Sequence, residues 1–151
     1  MEERVLSWLR AQEGKVFTPP RNEKFNRRRP AKDFEITKVH DERVIIRFVG
    51  SPHPALPLTY SMFDRTIKCL REHEGKPVRL GAKVAPPYEN ETIEKAIWKR
   101  PYPIGNTPYK ASPHVCDILA LAGVIEYVST INQSTSRKAQ AVKLSRQHSA
   151  N

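Results

Sequence analysis

The chain has 151 residues, of which 38% are hydrophobic and 28% charged, and it carries a net charge of +10 with a mean hydropathy of -0.60. That length suits one ordinary domain and crowds two. No apolar run approaches the roughly 20 residues of a membrane-spanning helix, and Met1-Glu-Glu-Arg4 is the wrong start for a secretory leader, so a soluble, cytoplasmic protein without a membrane partner is expected.

Taken in order, residues 1–14 predict an N-terminal helix. Val5, Trp8 and Leu9 form its apolar stripe, and Gly14 stops it. Residues 15–33 are a basic, proline-rich segment with Arg21, Lys24, Arg27, Arg28 and Arg29 in its middle. Pro19, Pro20 and Pro30 argue against regular structure there, so an extended arm is expected. Within 18–33 the single aromatic, Phe25, suits anchoring the arm to the body better than stacking on a ligand.

The clearest strand pair follows, 34–39 and 43–49, with β-branched residues on both sides of a polar turn at His40. Ser61 followed by Asp64 resembles a capping box and opens a helix over 62–73, with Phe63, Ile67 and Leu70 inward and Arg65, Lys68, Arg71 and Glu72 outward. Residues 78–84 alternate as a half-buried strand. Asn90 is placed to cap a short helix over 91–99, which Arg100-Pro101 ends.

The next loop, Tyr102 to Ala111, adds Tyr109 and Lys110 to the Lys95, Trp98, Lys99 and Arg100 just upstream. Here alone in the body do bases and aromatics interleave. Ser112 is placed as the N-cap and Pro113 as the first residue of a helix over 113–122, and Gly123 ends it before a strand at 124–128. Residues 129–151 shift to Ser, Thr, Asn, Gln and Ala with four bases, which predicts a flexible, disordered basic tail.

The fold class expected is α+β. Residues 34–128 should form a single domain, with a small, mostly antiparallel sheet built from 34–39, 43–49, 78–84 and 124–128 and with three packed helices. The N-terminal helix would ride on the basic arm.

Within Glu91 to Val128, the run Ser112-Pro-His-Val-Cys-Asp-Ile-Leu-Ala-Leu-Ala-Gly-Val-Ile-Glu126 resembles the winged-helix DNA-binding pattern of helix, turn, apolar helix, glycine and wing strand. The resemblance covers about a quarter of the chain. It implies a second helix that reads the major groove from its N-terminal end. The outward positions here are His114, Asp117 and Leu121, none of which is an Arg, Lys, Asn or Gln suited to base edges. Packing in the core is therefore the expected role of 113–122.

Charge locates the expected function. Residues 15–32 hold seven bases against one acid and residues 129–151 hold four against none, so nearly all the excess lies in two flanks of an almost neutral body. Basic flanks gain affinity for phosphates by releasing counterions. The expectation is a non-catalytic nucleic-acid-binding module, with DNA favoured and RNA compatible, and without metal or cofactor. Its contact residues would be Arg21, Lys24, Arg27, Arg28, Arg29, Lys95, Trp98, Lys99, Arg100, Tyr102, Tyr109 and Lys110, the aromatics stacking on bases and the cations holding phosphates.

Two rival readings use the same residues differently. An assembly subunit would bring its basic flanks to an acidic protein partner. A small metal-dependent nuclease would use Asp64 with Glu74-Gly-Lys76, a pattern whose acids hold a divalent ion in restriction-type enzymes, although here the acids flank a helix. Cys69, His73, His114 and Cys116 have the residue types of a zinc site, but helical spacing turns the last two apart. Buried thiols in a reducing compartment are the simpler expectation for the cysteines.

Overall fold

The computed structural model describes residues 1–87, 91–131 and 137–149. In chain order the elements are α1 (Glu3–Ala11), β1 (Val16–Phe17), α2 (Pro20–Lys24), β2 (Phe34–Val39), β3 (Arg43–Phe48), β4 (Leu56–Thr59), α3 (Tyr60–Glu72), β5 (Val78–Arg79), α4 (Ile93–Ile97), α5 (Ser112–Leu121), β6 (Ile125–Ile131), β7 (Lys138–Leu144) and α6 (Arg146–Ser149). The fold is α+β, as the mixed periodicities imply. Among the described residues no helix is long and apolar enough to cross a membrane.

The strands form two sheets where one was expected. β1-β2-β3-β4 is an antiparallel meander, and β5-β7-β6 is a separate three-stranded sheet. The β2–β3 hairpin is where β-branched periodicity put it. Ile36, Val44 and Ile46 alternate inward and are wholly buried. A bulge between Ile36 and Lys38 shifts the register, and there Gly14 and Lys15 pair with the Ile36 backbone. The strand expected over 78–84 is regular only at Val78–Arg79.

The C-terminal expectation is overturned more deeply. β7 is no disordered tail: it lies at the centre of its sheet, between β5 and β6. Ala141, Val142 and Leu144 are buried in it, and Lys143 ion-pairs with Glu126 directly across the β6–β7 ladder at 3.3 Å. An uncompensated basic composition suggested a tail, but a strand needs only one apolar face, and Val142 with Leu144 provides it. α6 completes the closure, its His148 Nε2 lying 2.8 Å from Glu2 of the N-terminal segment.

The basic segment 15–33 is likewise not an extended arm. β1 pairs with β2, and Phe17 packs between Trp8 and Phe34. Pro20 sits at the first position of α2, where a missing N–H costs nothing. The side chain of Asn22 accepts from the Ala31 N–H and donates to the Ala31 carbonyl, both at 2.8 Å. Residues 22–31 thus become a closed loop carrying Arg27, Arg28 and Arg29.

One core joins all this. It runs from Val5 and Leu9 of α1 through Phe63, Ile67 and Leu70 of α3 to Val115, Ile118 and Leu119 of α5. α3 starts at Tyr60 after Thr59, with no side-chain cap from Ser61. The expected α4 cap, Asn90, lies outside the described residues; Thr92 caps that helix, its hydroxyl accepting from the Lys95 N–H at 3.1 Å.

Candidate functional site

The outer stripe of α3 and the short α4 face each other. Arg65 ties them together: its guanidinium donates to the carbonyls of Ile97, Lys99 and Pro101 at 2.8, 2.7 and 2.8 Å. Carbonyls at a helix C-terminus have no partner within the helix, so one cation both ends α4 and aims the chain beyond it. Lys99 and Arg100 are left exposed on the rim of a cavity of about 590 Å³ between the two helices.

Five cations and two carboxylates line that cavity. Their tasks differ. Arg65 is committed to the carbonyls, and Lys95 ion-pairs with Glu91. Arg100 lies over the Tyr102 ring, 5.2 Å from its centroid. Lys68 of α3 is exposed beside Glu72. Cys69 forms part of the wall, and burial, helped by Glu91 and Glu72, pushes its thiol up to about 11. The protonated form therefore dominates at neutral pH.

The loop from Trp98 to Ala111 is organised by Glu94, a residue that no sequence motif singled out. Its carboxylate is fully buried and takes four donors: Trp98 Nε1–H at 2.9 Å, the N–H groups of Ala111 and Ser112 at 3.2 and 3.1 Å, and the Ser112 hydroxyl at 2.9 Å. Burial raises its pKa against the pull of those donors. The start of α5 is thereby satisfied by a carboxylate from α4. Ser112 itself is the first helical residue, not the cap. The readable signal was the i, i+4 spacing of Glu94 and Trp98.

Two of the expected contact aromatics serve the scaffold instead. Trp98 is 2% exposed, and a base cannot stack on it. Tyr109 packs edge-on against Trp98 at 5.0 Å, and its hydroxyl donates to the Pro57 carbonyl of β4. Tyr102 is half-buried at the cavity wall and touches Trp98 through an edge contact at 5.8 Å.

The remaining expected residues gather elsewhere. Arg21 is corrected: it is 8% exposed, and its Nε lies 3.1 Å from Asp117 Oδ2, an interior ion pair rather than a phosphate contact. Tyr127 donates to the other Asp117 oxygen at 2.6 Å. Phe25 packs edge-on against Tyr127 at 5.7 Å, the anchor that its isolation suggested. Burial raises Asp117 to about 6, while Arg21, the Tyr127 hydroxyl and Arg27 oppose the rise.

His114 and Asp117 are therefore not solvent-facing. The His114 ring sits 4.9 Å from Phe48, and burial, reinforced by Arg21 and Lys110, lowers it to about 4. Arg27 and Lys110 thus belong to the surroundings of α5. Lys24, Arg28 and Arg29 are exposed on α2 and its loop. So the expected residues form two groups: Lys95, Lys99, Arg100 and Tyr102 at the cavity, with Trp98 and Tyr109 behind them, and Arg21, Lys24, Arg27, Arg28, Arg29 and Lys110 about α2 and α5.

α5 packs against α2, α3, α4 and β6, and not one of its residues is exposed. It carries no surface for a major groove. Asp64 lies in the second turn of α3 and Glu74 beyond its C-terminus, on a left-handed backbone at φ 51°; Asp64 pairs with the Met1 amino group at 3.3 Å. Among the described residues no three His, Cys, Asp or Glu side chains are grouped to hold a metal.

No family model, curated protein or solved structure matches the chain. The reading of this site rests on its own chemistry.

Proposed function

We propose that this protein is a non-catalytic nucleic-acid-binding module, DNA being the favoured partner and RNA a compatible one. The observation that carries the reading is the cavity between α3 and α4. There Lys68, Lys99 and Arg100 stand exposed around Tyr102, a cationic concavity with an aromatic wall. Such a pairing suits a phosphate with its base. The closed loop 22–31 supplies a second cationic surface through Lys24, Arg28 and Arg29, where sequence-independent phosphate contacts add affinity.

A winged-helix relationship belongs to the same proposal. The order α4, α5, β6, β7 supports it, because the wing strand expected at 124–128 turns back on a partner strand. In this version α2, α3, α4 and β6 cover the helix that would read bases, so recognition is transferred to the outer side of α3, α4 and the loop after them. Two free cysteines are consistent with a reducing, cytoplasmic setting.

The test is fluorescence polarisation with duplex DNA, single-stranded DNA and RNA at two salt concentrations. Binding should weaken with salt, and Lys68→Ala with Lys99→Ala should make that dependence shallower by about 0.7–0.9 for each phosphate no longer neutralised. No binding to any of the three at low salt would sink the reading. Salt-sensitive binding to an acidic protein alone would favour the assembly-subunit reading in its place.

A further inference from the structure

The cavity between α3 and α4 has the size of a small-molecule site. Its volume of about 590 Å³ falls within the roughly 300–1,000 Å³ of ligand pockets, and a double helix cannot enter such a space. What can enter is one unit of a strand. The arrangement of its cations and its half-buried aromatic ring narrows the ligand further.

Arg65 and Lys95 are held by protein acceptors, three backbone carbonyls and Glu91 respectively, and they shape the site rather than fill it. Lys68 projects from α3 and Lys99 from the turn after α4, so exposed ammonium groups approach the cavity from both walls. The Arg100 guanidinium rests over the Tyr102 ring at 5.2 Å. A guanidinium plane over an aromatic face is the position a stacked base also takes, and the exchange frees a strong phosphate donor. Glu72, one helical turn from Lys68, puts an acceptor at the cavity wall, which suits the amino group of a base.

We infer that this cavity binds a single phosphate-bearing nucleotide, its base on the Tyr102 face that Arg100 now covers and its phosphate between Lys68, Lys99 and the displaced Arg100. This inference rests on the nucleic-acid reading and sharpens it: the cavity engages one nucleotide unit. The unit is either the phosphorylated end of a single strand or a free nucleotide, and the recognition chemistry is the same for both.

The chain has two tryptophans, so Trp8→Phe leaves Trp98, in the wall of the cavity, as the sole indole reporter. Emission from that variant, with calorimetry on the unsubstituted protein as a second readout, follows titrations with mononucleotides, inorganic phosphate and short strands. The mononucleotides are guanosine and cytidine 5′-monophosphates, and the strand is a tetranucleotide with either a 5′-phosphate or a 5′-hydroxyl. A mononucleotide or the phosphorylated tetranucleotide should bind saturably, and the hydroxyl-ended strand about tenfold more weakly. Lys68→Ala with Lys99→Ala should cost about tenfold or more, and Tyr102→Leu should cost about tenfold for nucleotides while leaving inorganic phosphate unchanged. The tighter of the two nucleotide forms names the source.

Failure of both the mononucleotides and the phosphorylated tetranucleotide to bind, equal binding of the phosphorylated and hydroxyl-ended strands where strands bind, or indifference of the bound form to the three substitutions overturns the inference. If long strands still bind with normal salt dependence in that case, the broader reading stands. Saturable mononucleotide binding without binding of any polynucleotide supports the inference and removes the broader reading.

Discussion

Glu94 carries more of the site than any residue that touches solvent there. Its two oxygens take the four donors that close the loop from Trp98 to Ser112. Glu94→Ala would leave buried N–H groups without partners and should cost about 3 kcal/mol or more in urea denaturation. Glu94→Gln keeps half the acceptor capacity and should cost less. The cluster on α5 makes a second residue-scale prediction. His114 is lowered from 6.5 to about 4 by burial first, then by Arg21 and Lys110. Between those values the unfolded chain binds the extra proton, so this contribution to stability is present above pH 6.5 and is lost as pH falls toward 4. Asp117 acts oppositely: raised to about 6, it gains its proton first in the folded state and offsets part of the loss. His114→Asn should therefore gain stability relative to the parent on going from pH 7 to 4.5, by up to about 3 kcal/mol. Urea midpoints of both proteins at the two pH values check it.

At the scale of elements, the join between β5 and α4 decides whether the cavity has two walls. Leu80 O accepts from the Glu94 N–H at 2.9 Å, and Arg79 bridges to Thr92. Gly81 lies between them at φ +92°, where a Cβ would stand 2.7 Å from Thr92 Oγ1 and 2.8 Å from its Cβ. Gly81→Ala therefore meets a left-handed backbone penalty and a clash with the residue that caps α4. It should destabilise by about 2 kcal/mol or more, and nucleic-acid affinity should fall with it; thermal melts and polarisation titrations report the two effects. α5 is the element whose role the surroundings settle. Its apolar spacing marks a packed helix, but only the placement of α2, with Arg21 on Asp117 and Phe25 on Tyr127, buries the face left over.

For the whole molecule, the ends of the chain are structural. α1 contributes Val5 and Leu9 to the core, and Glu2 reaches both Arg71 of α3 and His148 of α6 at 2.6 and 2.8 Å. β7 is the middle strand of its sheet. Ending the chain after residue 136 removes that strand, so it should abolish cooperative unfolding and give a chain with reduced far-UV circular dichroism; retention of a sharp unfolding transition would restore the tail interpretation. The positive flanks thus acquire different meanings. Arg28 and Arg29 are displayed on a closed loop, whereas Lys143 of β7 is paired with Glu126.

Periodicity alone determined the α+β class, the β2–β3 hairpin, the inward face of α3 and the apolar stripe of α5. Those features follow from a local rule, the alternation of apolar and polar side chains, which neighbouring residues carry in full. Tertiary structure alone decided the division into two sheets, the centrality of β7, the burial of Arg21 and the loop-closing role of Glu94. A strand's partners and an ionic group's burial depend on residues far away in sequence: Arg21 is interior because Asp117 meets it, and Glu94 because Ser112 and Trp98 converge on it. Composition counts such charges, but it cannot say which of them the fold will pair.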